Sequence, residues 1–77
     1  MNLREYQLLC YNWRGDPDGF ASVVAGAAEL GLTQKELARD FEVSEMVIEG
    51  WANGTAHPHP RIQQYVVETL KTLALTH

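Results

Sequence analysis

Glu45 and Glu49 lie four residues apart, the spacing that sets two carboxylates on one side of a helix. Paired acids can share acid and base roles in catalysis, but only where a pocket drives their ionisations apart. A chain of 77 residues has little interior from which to build one. His57 and His59, in "HPHP", bring two imidazoles within two residues of each other. A zinc centre typically takes four ligands, and no cysteine or further histidine adjoins this pair, so they read as solvated loop residues and no metal is expected. The single cysteine, Cys10, cannot close an internal disulfide, which suits a reducing compartment. It reads as a small buried hydrophobe rather than a reactive thiol. No Ser–His–Asp or Cys–His set has supporting context. Neither enzymatic activity nor a cofactor is expected.

Charge narrows the partners. The formal net charge is −4, and it is unevenly spread. In residues 1–15, Arg4 and Arg14 against Glu5 leave +1, and in 55–77, Arg61 and Lys71 against Glu68 leave +1. Between them, Asp16, Asp18 and Glu29 give −3 over residues 16–32. Lys35 and Arg39 against Glu36, Asp40, Glu42, Glu45 and Glu49 give a further −3 over 33–54. The basic stripe of a typical DNA-binding domain is missing. Hydrophobic residues at 45% and charged residues at 21% indicate an ordinary globular domain. The longest apolar run, residues 21–28, is too short to cross a bilayer. The opening residues lack the basic lead and apolar stretch of a signal peptide, so a cytoplasmic location is expected.

The elements that would position these side chains are helices. Asn2 with Glu5 suggests a capping box. Leu3, Tyr6, Leu9, Cys10 and Trp13 then recur at helical spacing until Gly15. Asp16 followed by Pro17 supplies a capping oxygen and a residue whose missing N–H costs nothing in a first turn. Phe20, Val23, Val24, Ala27 and Leu30 form the next buried stripe, which Gly31 should end. A second box, Thr33 with Glu36, opens a short helix to Phe41 with Leu37, Ala38 and Phe41 inward. Ser44 caps another to Asn53, with Val47, Ile48 and Trp51 inward and Gly54 as its stop. "TAHPHP" must be irregular, since each proline also restricts the residue before it. From His59 or Pro60 a last helix should bury Ile62, Tyr65, Val66, Thr69, Leu70 and Leu73, with its final "LTH" frayed. The expected fold is all-α, a compact five-helix domain. It divides into an N-terminal helix extension (1–15) and a single folded unit (16–77).

Two short helices with a tight connection, then glycine and a proline-rich loop, bring a family into view. "TQKELARDFEVSEMVIEGWANG", residues 33–54, resembles the helix-turn-helix of the phage repressor and Cro type of transcriptional regulators. The matching pieces are "TQKELA", the "VS" before the next helix and "IEGWANG" at its end. With flanking helices the resemblance covers about residues 16–73. It implies a repressor-like DNA-binding fold carrying an extra N-terminal helix. The family usually has glycine in the turn where this chain has Glu42. A left-handed conformation there would cost roughly 1 kcal/mol relative to glycine.

The resemblance also assigns roles. Glu45, Met46, Glu49 and Gly50 match positions that approach base edges. Glutamate can accept a hydrogen bond from cytosine and methionine can touch a thymine methyl, but glycine reads nothing. Gln34 matches a phosphate-binding glutamine at a helix start, and Asn53 and Thr55 match positions beside the DNA backbone. Lys35, Arg39 and Arg61 would add phosphate contacts, as would His57 and His59 when protonated. Simpler roles compete: Lys35 and Arg39 as solvated charges, Gln34 and Asn53 as helix caps. The expectation is a regulator that binds double-stranded DNA, as a homodimer joined through its first and last helices, with weak base preference. The alternative is a protein-interaction module, an antirepressor or antitoxin-like partner using the acidic helix that carries Glu45 and Glu49.

Overall fold

Asn2 starts the first helix by accepting the Glu5 backbone N–H on its side-chain oxygen at 2.8 Å. The computed structural model, which describes residues 1–76, continues as five α-helices: α1 (Leu3–Asn12), α2 (Pro17–Glu29), α3 (Gln34–Phe41), α4 (Glu45–Asn53) and α5 (Pro60–Thr76). The same capping device opens three more. Asp16 accepts from Gly19 N–H at 2.6 Å, Thr33 from Glu36 N–H at 3.1 Å and Ser44 from Val47 N–H at 3.3 Å. Each such cap contributes about 1 kcal/mol. The returning arm expected of the two capping boxes is not made. Glu5 instead accepts a long 3.5 Å bond from the Asn2 side chain. α5 is opened by a residue of another kind: the His59 ring Nδ1 accepts from Arg61 N–H at 3.1 Å, and its carbonyl takes the N–H groups of Ile62 and Gln63.

Three helices end alike. At the close of α2, α3 and α4 the N–H of Leu32, Val43 and Thr55 reaches back five residues, to Ala27, Ala38 and Gly50 respectively. That bond, the mark of a Schellman ending, needs a left-handed residue just before the donor. Gly31 and Gly54 supply it, and so does Glu42, at φ 57° and ψ 43°. The left-handed conformation considered for Glu42 is therefore present.

Tyr6, Phe20, Val23, Leu37, Ile48, Val66, Val67 and Leu70 are fully enclosed at the centre. α2 packs against α4, α5 and α1, while α1 also packs on α5 and α3 on α4. α1 is more than an extension: Tyr6 and Cys10 belong to the core, and the Tyr6 hydroxyl donates to the Val23 carbonyl of α2 at 2.8 Å. Gly26 makes that approach possible, because a Cβ there would stand 3.0 Å from the Tyr6 ring. Burial pushes the Tyr6 phenol above its ordinary ionisation range and raises the Cys10 thiol as well. Among the described residues, no helix is long and apolar enough to cross a membrane.

The expected burial needs correction in three places. α1 stops at Asn12, three residues short of Gly15, because Trp13 turns extended and its indole N–H donates to the Asp16 carbonyl at 2.9 Å. Leu3, at its other end, is exposed. Val47 is 37% exposed; α4 buries Ile48 and Trp51, and Val47 lies one residue round the helix from Ile48, at the edge of that contact. α5 is rotated from its expected face. It buries Gln63, Val66, Val67, Leu70 and Ala74, while Ile62 and Tyr65 are exposed and Thr69 and Leu73 half-buried. A polar residue can occupy that face because the Gln63 amide donates to the Pro58 carbonyl at 2.9 Å. The helix also persists through Thr76, where Leu75 and Thr76 were expected to fray; His77 lies outside the described residues.

Candidate nucleic-acid interface

Sequence reasoning placed its candidate residues on and beside α4, so the first question is what holds that helix. Trp51 does most of it. Its ring stands edge-on to Phe20 of α2, with centroids 5.7 Å apart, and tilted against Phe41 of α3 at 6.4 Å. Edge-to-face pairs of this kind add about 0.5–1.5 kcal/mol beyond the area they bury. Ile48 is buried alongside, and Leu37 and Ala38 supply the α3 side of the junction. Ala38 also gives its carbonyl to the Val43 N–H at 2.9 Å, so the small residue at the crossing is also where α3 is closed off.

With that side fixed, the opposite side of α4 is free. Glu45, Met46, Glu49 and Asn53 are all exposed. Met46, at 80%, is the most exposed large hydrophobic residue among those described. Glu45 and Glu49 make no ion pair among the described residues, where Lys71–Glu68 is the one pair, at 3.5 Å. At (i, i+4) they repel, costing the isolated helix about 0.2–0.5 kcal/mol. Glu45 is compensated in part by its place in the first turn, where the helix dipole favours an anion.

Gly50 does not share that free side. A Cβ on it would lie 3.3 Å from Ala56, and its carbonyl accepts the N–H groups of both Thr55 and Ala56. The loop folds closely over the glycine, and a side chain there would have to press Ala56 aside by a few tenths of an ångström. Its sequence signal was the pair Gly50 and Gly54 four residues apart, the span from the accepting carbonyl to the left-handed stop.

The remaining candidates divide into two sets. Asn53 and Thr55 come together: the Asn53 Oδ1 accepts the Thr55 hydroxyl at 2.8 Å and its N–H at 3.2 Å. Their oxygens therefore serve the end of α4, leaving the Asn53 amide donors outward. Gln34 and Lys35 occupy the first turn of α3, both exposed, with side chains that make no hydrogen bond or ion pair among the described residues. Arg39 is exposed on the same helix. Arg61 sits apart in the first turn of α5, exposed and equally unpaired. A cation there opposes the helix dipole, which would favour an anion beside it. His57 is an exposed loop residue, whereas the His59 ring nitrogen is engaged in opening α5, a role that a proton on Nδ1 would end.

The result is a narrow, mixed surface. Exposed Asp40, Glu42, Glu45 and Glu49 stand on the α3–α4 pair against exposed Lys35 and Arg39. Such a surface can meet a polyanion only through scattered cations and backbone or amide donors. It can meet a cationic apolar surface through Met46 and the glutamates beside it. In comparisons with known proteins, no family model, curated sequence or solved structure matches this chain.

Proposed function

We propose that α3 and α4 act as a helix-turn-helix that lies against duplex DNA, in a small regulator of repressor and Cro type. The observation that carries this reading is the division of α4. Ile48 and Trp51 anchor one side, while Glu45, Met46, Glu49 and the Asn53 amide stand free on the other. Gln34 would meet phosphate from the start of α3, where the N–H groups that the Thr33 cap leaves over and the helix dipole favour an anion. Lys35, Arg39 and Arg61 would add Coulomb attraction, with Thr55 near the sugar–phosphate chain. Base preference would be weak, since neither glutamates nor methionine make the bidentate contacts that discriminate well. A homodimer would double these contacts.

The test is a fluorescence anisotropy titration on duplex DNA over a range of salt. Three cations per copy imply a slope of log affinity against log salt of about −2.7 per copy. Replacing Glu45 and Glu49 with lysine should tighten binding and steepen that slope by up to about two units. Absence of salt-dependent binding in both proteins would end the reading.

One observation favours a second reading. Met46 stands exposed between two unpaired glutamates, the composition of a surface that docks on a basic, apolar protein patch. On that reading the same charge reversal abolishes binding to the protein partner.

A further inference from the structure

α1 and α5 leave an open groove of about 460 Å³ between them, and no residue of α4 lines it. Its apolar surface comes from Leu8, Tyr11 and Leu75, which are 54%, 68% and 63% exposed. Its charged lining is Arg4 and Lys71, and no carboxylate lines it. Lys71 lies near Tyr11, its Nζ 5.9 Å from the ring centroid, and pairs with Glu68 at 3.5 Å. Arg4 makes no ion pair among the described residues.

We propose that this groove receives the α4 helix of a second copy of the chain, with Met46 and Val47 against Leu8, Tyr11 and Leu75, and Glu45 and Glu49 beside Arg4 and Lys71. Charge selects this occupant. Two grooves apposed face to face would bring Arg4 and Lys71 against their own kind, and two α4 surfaces would oppose four glutamates. Only the crosswise pairing matches apolar with apolar and acid with base. One molecule cannot satisfy itself, because its α4 packs on α2 and α3 while its groove lies between α1 and α5. The contact joins two different patches, so it is reciprocated in a two-fold dimer, closes into a ring or extends as a chain.

Under the DNA reading above, each α4 seated in a neighbour's groove is withheld from DNA, so this particular association competes with DNA binding. The association itself does not rest on that reading and is tested without nucleic acid. Sedimentation velocity on the purified full chain, from low micromolar to near-millimolar concentration, should show reversible assembly. Assembly should weaken by an order of magnitude or more between about 0.1 M and about 1 M salt, as the screening length falls from ~10 Å to ~3 Å. Leu8→Asp and the pair Glu45→Lys with Glu49→Lys alter exposed side chains only, and circular dichroism checks that each variant is folded. Each should be monomeric alone. Mixed, they should form a one-to-one pair and nothing larger, since one intact groove and one intact α4 remain between them. A wild-type chain that stays monomeric throughout overturns the proposal. So does assembly that survives either variant or is indifferent to salt, and so does a mixture that fails to pair. Failure of DNA binding in the separate anisotropy experiment leaves the association standing, and loss of association leaves the DNA reading standing.

Discussion

Replacing Glu42 with glycine should make the protein more stable, although it removes a side chain and adds nothing. Glu42 holds φ 57° and ψ 43°, and the Val43 N–H behind it is committed to the Ala38 carbonyl at 2.9 Å, so the turn has no freedom to relax. An L-residue in this region crowds its Cβ against the following carbonyl, at about 1–2 kcal/mol. Glycine avoids that crowding but brings a more flexible unfolded chain, which returns roughly 0.5–1 kcal/mol. The two ranges leave a net gain of about 0–1.5 kcal/mol, with a central value of roughly 0.75 kcal/mol. For a domain of this size it raises the melting temperature by roughly 2–8 °C. The carboxylate also leaves an acidic surface, so Glu42→Gln is the necessary control: it removes the charge and keeps the Cβ. Thermal and urea unfolding followed by circular dichroism would read both variants against the parent. The expected order is Glu42→Gly well above Glu42→Gln, with the glutamine variant close to wild type and the urea slope unchanged. Equal gains in the two variants would assign the effect to charge. A glycine variant no more stable than the parent would refute the claim of backbone strain.

Three further outcomes follow from the core. Gly26→Val should destabilise by about 1–3 kcal/mol in urea unfolding. Its Cβ meets the Tyr6 ring at 3.0 Å, and that ring is pinned by its hydroxyl bond to Val23. Trp51→Ala should cost about 3–5 kcal/mol by the same measurement, since the indole spans Phe20 and Phe41. Stability should fall on raising the pH above about 9. Cys10 and Tyr6 are raised by burial, so the unfolded chain releases those protons first and binds fewer than the native state. Each group then contributes a loss of up to about 1.4 kcal/mol per pH unit. Cys10→Ser and Tyr6→Phe should each flatten the alkaline limb of a melting-temperature profile; an unchanged limb in both would contradict their burial as neutral groups.

Much of the fold could be read from chain punctuation. Asn2, Asp16, Thr33 and Ser44 cap helices at the expected places, because a short side-chain oxygen beside free N–H groups acts locally, whatever the tertiary packing. Gly31 and Gly54 are equally local signals. What could not be read depends on which neighbour a helix meets. α5 offers two overlapping apolar stripes, and counting large hydrophobic residues favours the one through Ile62 and Tyr65. The helix buries the stripe through Gln63 instead, where the Pro58 carbonyl accepts the side-chain amide. The Gln63 Oε1 has no hydrogen-bond partner among the described residues; the structure offers no compensation for that atom. At the candidate site, the exposure of Glu45, Met46 and Glu49 was legible from helical period, since Ile48 and Trp51 fix the opposite side. The loop over Gly50 was signalled only by the spacing of Gly50 and Gly54, and the mutual bonding of Asn53 and Thr55 was not legible. Both depend on how the chain leaves the helix rather than on the helix itself.

The hydroxyl of Tyr6, tied to α2 across the small surface of Gly26, has a consequence for how the molecule opens. A leading helix held only by edge contacts would fray and exchange its amide hydrogens long before the rest. Here, peeling residues 3–12 away would uncover the middle of α2 and break the Tyr6–Val23 hydrogen bond in the same event. The amides of α1 should therefore exchange in step with those of α2, as one cooperative block. A shortened chain beginning at Asp16 should emerge as an aggregating fragment rather than a trimmed domain.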